Sequence, residues 1–122
     1  MYAPQLAPCP APVVIRLIGV LDADLIAAFA TVERSLASGG GATVVVDVRD
    51  LSPLGERDLR ALLRAVGDAR REGRDVRLDA PAFGWRQAIR RELGAFPVPD
   101  QAVKAAVRRT IVVAHSGKQR RR

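Results

Sequence analysis

Cysteine is nearly missing from this chain: Cys9 is the only one in 122 residues. That excludes an internal disulfide framework and any all-cysteine zinc site. Histidine is as scarce, with His115 alone near the far end. A four-ligand zinc site would have to be completed by carboxylates at no recognised spacing, so neither a metal nor a cofactor is expected. Aromatic residues make up only 4% of the chain and are scattered, which argues against a base-stacking platform for single-stranded nucleic acid. No apolar run approaches the roughly 20 residues of a membrane-spanning helix. The N-terminus has no basic segment leading into a long hydrophobic run, so no signal peptide is expected. A reducing, cytoplasmic setting is the simplest expectation. The serines, Ser35, Ser38, Ser52 and Ser116, form no persuasive set with a base and an element to orient it, and His115 beside Ser116 reads as an exposed side chain in a polar tail. No enzyme is expected.

What is abundant is apolar content, 48%, enough for one ordinary hydrophobic core. The net charge of +7 is unevenly placed. Residues 1–100 hold thirteen basic and thirteen acidic side chains and sum to zero. The excess lies in Lys104, Arg108, Arg109, Lys118, Arg120, Arg121 and Arg122, with no acid among residues 101–122. This asymmetry predicts a basic tail on a neutral domain, with nucleic-acid or other anion contacts confined to Lys118, Arg120, Arg121 and Arg122.

Along the chain, residues 1–11 belong to a proline-rich leader, a single domain is expected over 12–114, and a basic disordered tail over 115–122. "VVIRLI" (13–18) reads as a strand, and Gly19 permits a bulge or a close backbone approach. Asp22 or Asp24 can cap a helix over roughly 24–37, whose apolar face is Leu25, Phe29, Val32 and Leu36. "GGG" (39–41) stops it and serves as a return loop, since it lacks the following Lys-Ser/Thr of a phosphate cradle. "ATVVVDV" (42–48) reads as a central strand buried on both faces, with Asp47 at its carboxyl end and Arg49-Asp50 leading into a turn. Leu54, Leu59, Leu62, Leu63 and Val66 mark the buried side of a second helix that Ser52 can cap and Gly73 can end. "DVRLDA" (75–80) is a third strand nearer an edge. Trp85, Ile89 and Leu93 mark a third helix over 83–93, and the spacing favours partial core packing for Trp85. "FPV" (96–98) suits a brief strand, Asp100 can cap a fourth helix, and "TIVVA" (110–114) favours a last strand. Alternating strands and helices predict an α/β layer with right-handed crossovers, built on a parallel or mixed sheet of four to five strands and about four helices.

If the first two strands are parallel neighbours, Asp22, Asp24, Asp47 and Asp50 approach one end of the sheet and frame a ligand groove. Capping and turn closure are the plainer roles for the same residues. An uncovered edge strand leaves homodimerisation open.

Three stretches together are similar to the STAS domain of bacterial anti-sigma factor antagonists: "VVIRLIGVLDADLIAAF", "ATVVVDVRDLSPLGERDLRALL", and "RQAIRRELGAFPV" followed by "PDQAVKAAV". The resemblance covers about residues 12–109 and implies a small α/β domain that binds proteins and performs no chemistry. In that family the turn before the second helix usually reads Asp-Ser-Ser-Gly, and a partner kinase phosphorylates one hydroxyl. Here the matching residues are Gly55-Glu56-Arg57-Asp58, with charged residues at both hydroxyl positions. The resemblance therefore implies a docking surface at Ser52, Pro53, Leu54, Gly55, Glu56, Arg57, Asp58, Arg60 and Arg64 that lacks the usual phosphate acceptor. It also implies the partner class: an anti-sigma factor kinase, a signalling assembly, or the ATPase of a lipid-transport ABC complex.

Overall fold

The computed structural model describes residues 11–38, 41–52, 56–79, 87, 89–92, 94 and 98–114. Trp85, most of the leader and the whole basic tail fall outside them. In chain order come β1 (Val13–Gly19), α1 (Ala23–Ser38), β2 (Val44–Leu51), α2 (Glu56–Arg71), β3 (Val76–Asp79), α3 (helical at 87 and 89–92), α4 (Gln101–Ala106) and β4 (Arg109–Ala114). The four strands form one all-parallel sheet in the order β3-β2-β1-β4. This is the expected α/β layer, parallel throughout and not mixed.

Alternation explains the two faces of the sheet, because neighbouring side chains on a strand point in opposite directions. Ile15 and Leu17 of β1, Val44, Val46 and Val48 of β2, Val76 and Leu78 of β3 and Val113 of β4 are buried on one face. Leu25 and Phe29 of α1, Leu62, Leu63 and Val66 of α2 and Ile89 of α3 close over them in a single core. Each fully buried leucine contributes about 1.5–3 kcal/mol. The outer face carries the intervening residues, Val14, Arg16, Val45, Asp47, Asp79 and Thr110 among them.

β2 runs further than its apolar stretch suggests. Arg49 and Asp50 are strand residues, not turn residues, and Asp47 sits mid-strand. The pairing of β1 with β2 slips between Arg16↔Asp47 and Ile18↔Asp50, inserting one extra residue in β2. The bulge reverses the alternation beyond it. Asp50 thereby reaches Arg16 on the outer face, while Leu51 packs against the core.

The helix ends follow local chemistry. The Leu25 N–H donates to Asp22 Oδ1 at 2.9 Å, so Asp22 caps α1, and the Val103 N–H donates to Asp100 Oδ1 at 2.8 Å to cap α4. α2 ends at Gly73, whose φ of 91° suits a residue without a Cβ. Arg74 N–H bonds Ala69 O and Gly73 N–H bonds Arg70 O, which satisfies two carbonyls of the last turn. The expected "FPV" strand lies outside the described residues except for Val98, which is in no strand.

Candidate functional site: the head of α2 and the outer sheet face

The carboxyl ends of the two central strands lead into α1 and α2. The Ser52 N–H donates to Gly19 O at 2.8 Å, tying the exit of β2 to the exit of β1. The segment feeding α2 is thus anchored at the middle of the sheet. Ser52 precedes the first residue of α2, Glu56, by four positions, and its hydrogen bond is made to β1. Pro53, Leu54, Gly55 and the Glu56 side chain lie outside the described residues. From Arg57 onward the helix is plainly two-sided: Leu62, Leu63, Val66 and Ala69 are buried, while Arg57, Arg60, Ala61 and Arg64 are exposed. These four exposed residues line one shallow depression of about 490 Å³. Arg60 Nε stands 3.1 Å from Glu92 Oε2, which links α2 to α3. Asp58 is half-buried beside Arg57.

The outer sheet face is a second concavity, of about 460 Å³. Val14 and Val45 floor it, and Lys104 and Val107 overhang it from α4 and the residue after it. Its charges are largely paired. Asp47, only 5% exposed, accepts from the Arg49 backbone N–H and Nε at 3.0 Å and from Nη2 at 2.8 Å. Burial pushes the Asp47 carboxyl up, but the Arg49 hydrogen bonds and charge outweigh it and hold the group below its ordinary value. Asp75 is likewise held low, chiefly by hydrogen bonds from Arg77, against a smaller opposing effect of burial. Arg16 meets Asp50 at 2.5 Å, and Lys104 stands 3.7 Å from Asp79.

The four acids expected to frame a groove are therefore divided. Asp47 lines the outer-face cavity together with Asp79, which the sequence did not single out. Asp22 caps α1, Asp24 is exposed in the first turn of α1, and Asp50 is held by Arg16; none of these three lines that cavity. The signal for Asp79 was available in "VRLD", where alternation puts Arg77 and Asp79 on the face opposite Val76 and Leu78. Lys118, Arg120, Arg121 and Arg122 lie outside the described residues. Among the described residues no group of three or more histidine, cysteine, aspartate or glutamate side chains is arranged to hold a metal. No described helix is long and apolar enough to cross a membrane.

A small parallel sheet with its core helices on one face, and a helix launched from the central strand exits, is the architecture expected of a STAS domain. The family model described as "Mlab, STAS domain" matches residues 6–96, about three quarters of the chain. The chain belongs to the STAS domain family. No curated protein and no solved structure matches it.

Proposed function

We propose that this chain is a non-catalytic STAS adaptor that docks a protein partner through the turn before α2 and the outer side of that helix. The contact runs from Ser52 through Pro53, Leu54, Gly55, Glu56, Arg57 and Asp58 to Arg60 and Arg64. The observation that carries this reading is the division of α2 into a buried leucine side and an exposed arginine side, anchored at the exits of the central strands. Membership of the family supports a protein-binding role.

The stretch from Leu54 to Val66 contains no hydroxyl side chain. A phosphoserine would bring nearly two negative charges to the start of the helix. Glu56 supplies one permanently, where the helix dipole favours an anion, and Arg57 follows it directly. The surface is accordingly constitutive and has no kinase-operated switch. Its partner is a signalling assembly, the ATPase of a lipid-transport ABC complex, or an anti-sigma factor kinase engaged without phosphate transfer.

Affinity capture from native lysate with the wild type and with a Glu56→Lys/Arg57→Glu double variant tests the surface. One dominant partner should be lost while the variant stays folded; unchanged capture would move the contact to another face. Intact-mass measurement after incubation with a captured kinase should show no added phosphate on residues 52–58.

A further inference from the structure

Resting on the reading of α2 as the docking face, we propose that the surface it meets is acidic: a strip of carboxylates on a protein partner, received by Arg57, Arg60 and Arg64. Spacings of three and four residues place these side chains on one side of the helix, about 5–6 Å apart at Cβ for each neighbouring pair. Ala61 lies among them in the same depression, so its floor is low enough for another side chain to enter.

Most described arginines outside this strip are engaged, Arg90, Arg108 and Arg109 being the exceptions. Arg16 is engaged by Asp50, Arg49 by Asp47, Arg74 by Glu33 and Glu72, and Arg77 by Asp75. Arg70 donates to the Val76 carbonyl and Arg71 pairs with Asp68. Arg57 and Arg64 have no hydrogen bond or ion pair among the described residues. Arg60 keeps 43% of its side chain exposed despite Glu92. Three cations within two turns repel one another, and Arg57 also stands in the first turn, where the helix dipole disfavours a positive charge. Apart from the Arg60–Glu92 contact, folding gains little from that arrangement, whereas a partner bringing carboxylates relieves it. Guanidinium groups suit such a partner because their paired N–H groups match a carboxylate in a two-point contact.

The neighbouring acids favour a protein over a nucleic acid. Asp58 flanks Arg57, Glu92 sits against Arg60, and Asp68 lies one helical turn beyond Arg64. A continuous run of phosphates would meet these carboxylates, while a protein surface of mixed sign can answer both. The neutral sum of residues 1–100 points the same way.

The test uses the isotope-labelled full chain and a synthetic helical peptide bearing Glu at positions i, i+3 and i+7 of one face, with a Gln version as control. Arginine side-chain Nε signals of Arg57, Arg60 and Arg64 should move with the Glu peptide and stay fixed with the Gln peptide. Arg57→Glu/Arg64→Glu should weaken binding roughly tenfold, with an unchanged amide spectrum elsewhere. Absence of movement at the three arginines, movement confined to residues 118–122, or displacement of the peptide by short duplex DNA would overturn the assignment. Ala61→Trp separates this claim from the docking reading, because it obstructs the face without altering charge. A captured partner lost with Ala61→Trp but kept with Arg57→Glu/Arg64→Glu leaves the docking face in place and overturns its acidic partner. A partner kept with both variants overturns both.

Discussion

Asp47 shows how a buried charge is retained on the outer face of the sheet. Its side chain is 8% exposed, yet the Arg49 side chain that holds it is 58% exposed, so the pair is half in water. Solvent screens the charge attraction, and what the pair contributes is mainly the hydrogen bonds, at about 1 kcal/mol each for a folded protein in water. Asp47→Asn should therefore lower unfolding free energy by about 1–2 kcal/mol at neutral pH. Because the folded carboxyl titrates below its ordinary value, the ionised group stabilises the fold fully above the unfolded value near ~4. That stability disappears as pH falls through the lower folded value. Urea titrations of both proteins across the acid range should show the gap closing below pH ~4; a gap that persists in strong acid would assign the loss to packing.

At the level of elements, periodicity read the described strands and helices, while the "FPV" strand and part of the 83–93 helix lie outside the described residues. Besides Ser52, which stands too far ahead of α2 to cap it, two misjudged places have a physical cause. β2 was expected to stop before Arg49 because charged residues seldom continue a buried strand. The bulge makes that continuation tolerable by turning Asp50 outward. The clue lay in "VVVDVRDL": strict alternation from Val44, Val46 and Val48 would drive Asp50 into the core and Leu51 out, a conflict that one extra residue removes. The second is the supposed groove of four aspartates, which looked equivalent in sequence although Asp22 precedes α1, Asp24 lies in its first turn, and Asp47 and Asp50 lie in β2. The bond from Asp22 to the Leu25 N–H, and the position of Asp50 beyond the bulge, separate them in space. The cap was among the roles open to Asp22 in the sequence, whereas the position of Asp50 needs the pairing register.

The contact between α1 and the turn after α2 was also illegible, since Glu33 and Arg74 are 41 positions apart. Glu33 is 3% exposed and receives Arg74 Nε at 2.5 Å, while the same arginine reaches Glu72 at 2.6 Å. The two ends of this clamp are unequal. Removing the arginine strands a carboxylate in the interior, a loss of about 3–5 kcal/mol. Removing Glu33 leaves an arginine that retains Glu72 and access to water, so the cost should be nearer ~1 kcal/mol. Arg74→Ala should thus be the more destabilising substitution, and Glu33→Ala/Arg74→Ala should recover part of its loss. Equal effects of the two single variants in chemical denaturation would show that the clamp acts through packing alone.

For the whole molecule, the decisive quantity is where the net charge of +7 sits. A polyanion has three basic regions to bind: the α2 arginines, with acids interspersed, and, with no acid among residues 101–122, either Lys104, Arg108 and Arg109 or Lys118, Arg120, Arg121 and Arg122. Neutralising phosphates releases about 0.9 counterions each from duplex DNA, so four tail cations bound the dependence of log affinity on log salt at a slope of roughly 3–4. Duplex binding by the full chain, followed by fluorescence anisotropy between 50 and 200 mM salt as about a fourfold range, should stay within that bound. Replacing all four tail cations with serine should weaken binding and flatten the slope, since only Lys104, Arg108 and Arg109 then remain as uncompensated charge. A steep slope surviving that replacement would put phosphates on the folded domain, at the α2 arginines or at the equally exposed Lys104, Arg108 and Arg109.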